Sequence, residues 1–329
     1  MKKHLRKSVA GLLFCIFAFM LIPGQTAFAK TKVTYISSVS ALKKMAKNPA
    51  GHYKLKKDLN LKGKTWTSIG TTDQPFTGVF DGGGHTIKNL SIPQEGDYHG
   101  LFGYIKGGTI KNLTITGKIK GGTYVGAFAG QIEDGQIVNC VNKAKIYGVN
   151  QVGGLVGRIS RSTVLNCQNN AKVTGTGRCT GGITSDLYPS GYVFNCVNLG
   201  TVTGGYDLNG GITGGSTSGE VANCVNFANV TGRGRCGAIA GDNASYAGSR
   251  YYNYFRKTAS INPNYSPVGS NSRTFVKAKK SLSESVELNG KTYKKVLNAL
   301  NAGRILLKKD TGKAARKWKI INSKPVLFK

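Results

Sequence analysis

The sequence predicts an all-β fold, a parallel β-helix or solenoid with coils of about 27 residues and caps containing short helices. Five consecutive blocks open on a Gly-small-apolar motif, at 100–125, 126–152, 153–180, 181–209 and 210–236. Each block holds short runs rich in Val, Ile and Thr between turn residues, which favours strands. Gly makes up 46 of the 329 residues and Pro only 8, which indicates many tight turns. A β-propeller is disfavoured because its blades need about 40–45 residues.

Residues 1–29 have the features of a cleaved export signal. Basic residues precede an apolar run from Val9 to Ile22, and Ala27, Phe28 and Ala29 form a small-x-small cleavage pattern. The run is short for a membrane span. We therefore expect cleavage after Ala29, no membrane span in the mature chain, and a secreted or extracellular protein that can associate with the cell wall.

The rest of the chain divides into three regions: an N-terminal cap with the first strands (30–74), the solenoid (75–250) and a basic C-terminal cap (251–329). Caps are needed because an open solenoid exposes strand edges. Ser40 is predicted to cap a helix from Ala41 to Lys47. The C-terminal predictions are a helix from Lys294 to Ala302 and a strand pair from Trp318 to Phe328.

Aligning the blocks places asparagines in two columns. The first column contains Asn89, Asn112, Asn139, Asn166, Asn195 and Asn223, and the second contains Asn142, Asn169, Asn198 and Asn226. Coils of a parallel solenoid lie about 4.8 Å apart, so aligned amides can hydrogen-bond from coil to coil. Both columns are therefore interpreted as structural.

Six cysteines follow the predicted signal: Cys140, Cys167, Cys179, Cys196, Cys224 and Cys236. Four of them recur at one position of the repeat, where parallel stacked side chains fit disulfide geometry poorly and predict a buried thiol ladder. The even count in an exported chain leaves a disulfide framework open. Cys179 and Cys236 fall two coils apart, beyond the distance that a disulfide can bridge. The sequence contains no C-x-x-C pair, so a zinc site is not expected.

The repeats resemble those of GLUG-repeat proteins of bacterial cell surfaces. GLFG, GAFAG, GGLVG and the recurring NCxN carry the resemblance, and residues 41–92 and 297–328 look like the usual beginning and end of such proteins. The resemblance implies a secreted β-solenoid. Some members that cleave immunoglobulin A carry metallopeptidase domains, but none of the histidines here belongs to an H-E-x-x-H motif. That activity is therefore not expected.

Positive charge dominates the composition, with 46 Lys and Arg against 14 Asp and Glu. Residues 251–329 alone carry 18 basic and 3 acidic residues, and tyrosines precede their lysine clusters. Three arginines recur at one corner of neighbouring coils, where Arg178 is expected to form a surface salt bridge with Asp207. The predicted ligand-binding residues are Arg178, Arg233, Arg235, Tyr251, Tyr252, Lys308, Lys309, Lys313, Arg316 and Lys317.

These features predict a noncatalytic surface or adhesion-type protein that binds an anionic polysaccharide or cell-wall polymer. We expect a monomer without a cofactor or bound metal, and the sequence has no dedicated nucleic-acid motif. A structural module whose positive ends serve only solubility remains an alternative.

A carbohydrate-active enzyme, either a polysaccharide lyase or a glycoside hydrolase, is the other alternative. Gln131, Arg158, Asp186, Gly215 and Asp242 occupy one position of the repeat. Asp186 and Asp242 would then lie roughly 9–10 Å apart, near the upper spacing for an inverting pair of carboxylates. The same alignment makes Arg158 a neighbour of Asp186 and a possible ion-pair partner.

Overall fold

The computed structural model is a parallel β-solenoid of about 7 turns. It describes residues 32–93, 95–215, 218–241, 250–256, 272–278, 286–288, 291–293, 300–302, 304–305, 308, 316–321 and 324–327. The described strands lie in one compact unit, Val33–Lys329. The predicted fold class is confirmed, and the predicted signal at 1–29 lies outside the described residues. In the described part of the chain, no helix is long and apolar enough to cross a membrane.

Three parallel sheets form the walls of the solenoid. In the described ranges, sheet one contains Val33–Ile36, His52–Leu55, Leu59–Asn60, Val79–Asp81, Thr86–Ile92, Thr109–Lys111, Thr114–Lys120, Gln136–Val138, Val141–Gly148, Thr163–Leu165, Gln168–Asn169, Val173–Gly175, Tyr192–Phe194, Val197–Asn198, Val202–Thr203, Glu220–Ala222, Val225–Asn226, Val230–Thr231, Arg250–Arg256 and Ser272–Ala278. Sheet two contains Phe102–Lys106, Ala129–Glu133, Val156–Ser160, Thr184–Leu187 and Thr213–Gly215. Sheet three contains Thr123–Val125, Asn150–Gly153, Thr180–Gly181, Asn209–Gly210 and Cys236–Gly237.

The repeat period sets the register of every sheet. In sheet two, Ile132 lies opposite Ile105 on one side and Ile159 on the other, and all three side chains are fully buried. Burying such columns in one continuous interior gives the stack its main stabilisation, about 25 cal/mol per Å² of apolar surface. Polar residues alternate outward, as in Val141–Gly148, where exposed Lys143 and Lys145 flank buried Ala144.

A short helix covers the N-terminal end. It runs from Val39 to Lys44 and continues as a 3₁₀ turn, Met45–Lys47. The predicted cap was wrong by two residues, because the hydroxyl of Ser38, not Ser40, accepts the Ala41 backbone N–H at 3.1 Å. The helix buries Leu42 and Met45 against the first coil and so covers its open edge.

The second asparagine column forms a continuous buried ladder. Asn142 donates to Asn169 at 2.9 Å, Asn169 to Asn198 at 2.8 Å, and Asn198 to Asn226 at 2.9 Å. All four residues are fully buried. Since buried amides are costly unless paired, the ladder fixes the register between coils.

The first column occupies a turn in the left-handed region. Asn112, Asn139, Asn166, Asn195 and Asn223 have φ of 52–59°, which Asn tolerates better than most residues. Each amide donates to the preceding coil over 2.7–3.2 Å. The placement of Asn89 in this column was wrong. Asp81 pairs with Lys111, so Gly82 lies opposite Asn112, while Asn89 bonds to Asn60.

The cysteines at 140, 167, 196 and 224 form the predicted column of free, buried thiols. The backbone N–H groups of the first three donate to the sulfur of the next cysteine in the column, for example Cys140 N–H to Cys167 Sγ at 3.3 Å. After Cys224 the next coil supplies Asn253, whose Oδ1 accepts the Cys224 N–H at 2.9 Å. Cys179 and Cys236 are also buried, and neither forms a disulfide.

We expect the six buried thiols of the native protein to react with Ellman's reagent at least about 100-fold more slowly than in guanidinium chloride. Burial raises the pKa of the Cys140 and Cys196 thiols, which further reduces the reactive thiolate. The measurement is a thiol titration before and after denaturation without reductant. If fewer than six of these thiols reacted in denaturant, some would be held in disulfides, and the column of free thiols would be contradicted.

The described strands near the C-terminus form two pairs. Val286–Leu288 pairs with Lys291–Tyr293, and Trp318–Ile321 pairs with Lys324–Leu327 as predicted, both antiparallel. Of the predicted helix at 294–302, residues 300–302 are described and helical. The backbone of Arg316 bonds to the first asparagine column, because its N–H donates to Asn166 Oδ1 at 2.9 Å and its carbonyl accepts from Asn195 at 3.1 Å.

Candidate polyanion-binding surface

Two of the three predicted arginines contact one carboxylate. Asp207 accepts from Arg178 at 3.1 Å and from Arg235 at 2.7 Å, so the predicted pairing of Arg178 with Asp207 is present. Arg233 is exposed at the same corner. The corner keeps an excess of positive charge, but one acid partly neutralises two of its guanidinium groups.

The predicted C-terminal residues are described only in part. Tyr251 and Tyr252 lie in the strand Arg250–Arg256, without described side chains, and Lys309 and Lys313 lie outside the described residues. Lys308 and Lys317 are exposed. Arg316 is half-buried, and this burial lowers its pKa. Its backbone role at the asparagine column makes it a poorer candidate for ligand binding than its lysine neighbours.

The predicted column on sheet two is present, although its proposed catalytic pair is not fully described. Gln131 lies opposite Arg158, Arg158 opposite Asp186, and Asp186 opposite Gly215. Asp242 lies outside the described residues. The guanidinium of Arg158 lies 5.4 Å from the ring centre of Tyr188. The use of Asp186 in catalysis stays a prediction.

Sequence reasoning missed a column of three lysines on sheet one. Lys145 lies directly opposite Lys118 in the parallel register. Lys172 follows in the next coil, because Val173 lies opposite Ile146. All three side chains are exposed, and their spacing of 27 residues equals the repeat, which is the signal that could have revealed them. We call Lys118, Lys145 and Lys172 the lysine column.

The lysine column concentrates unneutralised charge. Among the described residues, no carboxylate pairs with it, and Lys118 Nζ lies 5.3 Å from the ring centre of Tyr147. Elsewhere on sheet one, lysines do have acidic partners, as in Lys88 with Asp58 at 2.9 Å. Like charges on neighbouring strands destabilise a sheet. A chain of anions would remove that cost, and strand spacing sets the cations about 4.8 Å apart.

A second basic feature lies in the N-terminal cap. Its helix and the loop that ends at Lys64 border a groove of about 330 Å³. Four lysines line the groove: Lys43, Lys44, Lys47 and Lys64. The net-charge argument placed excess charge in both caps, but the sequence alone did not bring Lys64 next to the helix.

Contacts with neighbouring side chains lower the pKa of two adjacent carboxyl groups, Glu133 and Asp134. Tyr104 donates to the Glu133 carboxylate, which also contacts Arg161, and these contacts keep the pKa of Glu133 below its usual range. Arg161 bonds Asp134 at 2.8 Å and lowers the pKa of that carboxyl as well. A general acid for glycoside hydrolysis needs a raised pKa. This pair therefore does not suit that role.

No group of three or more His, Cys, Asp or Glu side chains that could hold a metal ion occurs among the described residues. Nor does any family model match the chain.

The comparisons with known proteins support the fold. The chain superposes on a candidate immunoglobulin A1 protease from Bacteroides ovatus with a TM-score of 0.68 and 23% identity, covering 91% of this chain and 93% of that one. A structure named IgA1 protease superposes with a TM-score of 0.52 and 16% identity, over 89% of this chain and 25% of that one. At these identities the likeness shows a shared β-solenoid architecture.

A local sequence match joins the chain to Halomucin of Haloquadratum walsbyi. The two are 48% identical over 66 residues, which is 18% of this chain. The match spans about 1% of the length of Halomucin.

Proposed function

We propose that this protein is an exported, noncatalytic β-solenoid that binds an anionic polysaccharide or cell-wall polymer. The observation that carries the proposal is the lysine column, in which three exposed cations, without a carboxylate partner among the described residues, recur at one position of successive coils. The three lysines lie in a line with the spacing of neighbouring strands, about 4.8 Å, so a polymer with regularly spaced carboxylate, sulfate or phosphate groups can contact all of them.

Other features support an extracellular polyanion ligand. The basic groove of the N-terminal cap, the exposed Lys308 and Lys317, and the net charge of +32 all favour anionic partners. The local likeness to Halomucin and the resemblance to GLUG-repeat proteins support a location at the cell surface. Nucleic acid would share the charge preference but is not the first polyanion that an exported protein meets.

The test replaces Lys118, Lys145 and Lys172 together with glutamine. We expect heparin and teichoic acid affinity to fall about 100-fold, since each lysine near an anionic surface contributes about 1 kcal/mol. Affinity is measured by biolayer interferometry with immobilised polymer across a salt series.

The matched control replaces three lysines that pair with carboxylates: Lys88, Lys106 and Lys111. It removes the same formal charge, and we expect less than about a threefold loss because those lysines are already neutralised. Equal losses in the two triple variants would mean that net charge alone, rather than the lysine column, determines binding.

The C-terminal part of the proposal is tested in the same assay. We expect neutralising Lys308, Lys309, Lys313 and Lys317 to weaken binding further at moderate salt. Unchanged binding would remove the C-terminal cap from the site and leave the lysine column as its centre.

A further inference from the structure

Three tyrosines form an aromatic row: Tyr104 lies in sheet two, Tyr124 in sheet three, and Tyr98 just before the residue that bridges to sheet three. The rings of Tyr98 and Tyr124 are stacked, with centroids 4.8 Å apart and planes 20° from parallel. The ring of Tyr104 meets Tyr98 edge-on at 6.0 Å. All three residues are half-buried, so the row is fixed by its neighbours but still reaches the surface.

The backbone holds two of these tyrosines in an unusual conformation. Tyr98 and Tyr124 both have φ of 59°, in the left-handed region that bulky side chains rarely adopt. They occupy the same position in successive coils, because His99 bridges to Val125. In the next coil this position is Gln151, also left-handed at φ of 51°. Glutamine therefore fits the same backbone, and packing alone does not require an aromatic ring here.

A groove lies beside the aromatic row. It has a volume of about 230 Å³ and is lined by Trp66, Ser68, Thr71, Asp97, Tyr98 and His99, among others. Asp97 Oδ1 accepts the Thr123 N–H at 2.7 Å, which orients the carboxylate at the groove. A cleft with aromatic walls and a few fixed polar groups is the usual form of a small-molecule site.

On the other side, polar contacts fix Tyr104. Its hydroxyl donates to Glu133, and Arg161 holds both Glu133 and Asp134. Burial and the bond to Glu133 raise the pKa of Tyr104, so the phenol stays neutral and keeps its donor proton. The row thus lies between the carboxylates of Asp97, Glu133 and Asp134.

We propose that the aromatic row and its groove form a second binding site, which takes the pyranose rings of a neutral glycan. The apolar C–H face of a sugar ring stacks on a tyrosine ring, while its hydroxyl groups can bond to carboxylates such as Asp97. The site lies on a different sheet from the lysine column, and its contacts are apolar and hydrogen-bonded. The proposal is therefore independent of polyanion binding.

The test measures retention of the full chain in affinity electrophoresis with hydroxyethylcellulose, galactomannan, xylan or dextran. Calorimetric titration follows in 0.5 M salt, where the Debye length is about 4 Å and attraction between exposed charges is largely screened. We expect at least one of these polymers to retain the protein. The double variant Tyr98→Gln, Tyr124→Gln should lose at least about tenfold in affinity for it. The matched control is Tyr35→Ala, Tyr206→Ala, which removes two exposed tyrosines and should leave affinity unchanged.

Two further observations complete the test. The variant Tyr98→Phe, Tyr124→Phe keeps the rings and should retain affinity, and far-ultraviolet circular dichroism checks that each variant is folded. Absence of retention by all four neutral polymers would overturn the proposal. So would equal affinity of the folded glutamine variant and the unchanged protein. Loss of heparin binding in the lysine variant would not affect either readout.

Discussion

Gly181→Ala is expected to destabilise the protein by about 4 kcal/mol or more, enough to prevent folding of a marginally stable chain. Gly181 opens its coil, and a Cβ there would lie 1.8 Å from the Thr184 carbonyl oxygen. Backbone atoms cannot move aside as a flexible side chain can. The corresponding glycines at 153, 210 and 237 meet the same obstruction at 1.7–1.9 Å, which explains why the motif begins with glycine. Soluble yield and urea unfolding measure the effect.

Gly107→Ala is the matched control for this prediction. Gly107 has φ of 70°, but a Cβ there would meet nothing within 4 Å. Only the left-handed strain remains, about 1–2 kcal/mol. If the Gly181→Ala and Gly107→Ala variants unfolded at similar urea concentrations, the result would contradict the claim that a clash between a Cβ and the backbone makes glycine necessary at the start of each coil.

Asn169→Ala is expected to lower the free energy of unfolding by about 3–4 kcal/mol. Asn169 is fully buried and accepts from Asn142, donates to Asn198 and to the Ala171 carbonyl, and accepts the Ala171 N–H. Alanine removes every one of these bonds and leaves buried partners unsatisfied. Urea unfolding followed by circular dichroism gives the change directly.

The exposed Asn48 provides a control for the same substitution. Asn48→Ala should change the free energy of unfolding by less than about 0.5 kcal/mol, as is usual at the surface. A loss below 1 kcal/mol for Asn169→Ala would contradict the claim that the ladder holds the coils in register.

The repeat made the fold predictable because a period of 27 residues fixes both the architecture and the register. Asn142 and Asn169 are separated by one period and stack directly, as do Cys140 and Cys167. The irregular first coils were less predictable. The motif around Asn89 is offset from its counterpart, because Asp81 pairs with Lys111 and Thr86 with Thr114, which places Gly82 rather than Asn89 opposite Asn112. Sequence similarity between neighbouring motifs does not report such a shift.

The candidate site was less predictable than the fold. The argument from net charge favoured the C-terminal block, whereas the described structure gives its clearest basic surface at Lys118, Lys145 and Lys172. These lysines are far apart in the sequence, and only the stacking of coils brings them together. Conversely, Arg235 looks like a free cation in the sequence but shares Asp207 with Arg178 in the fold.

The most direct test of the central claim is retention of the protein by anionic and neutral glycans across a salt series, with the length of each bound polymer measured afterwards. The account predicts that retention by anionic polymers falls as salt rises, is lost in the Lys118, Lys145 and Lys172 variant, and leaves the polymer intact. Shortened chains, with cleavage abolished by Asp186→Asn, would contradict it and establish an enzyme. Absence of binding to every anionic polymer at low salt would also contradict it.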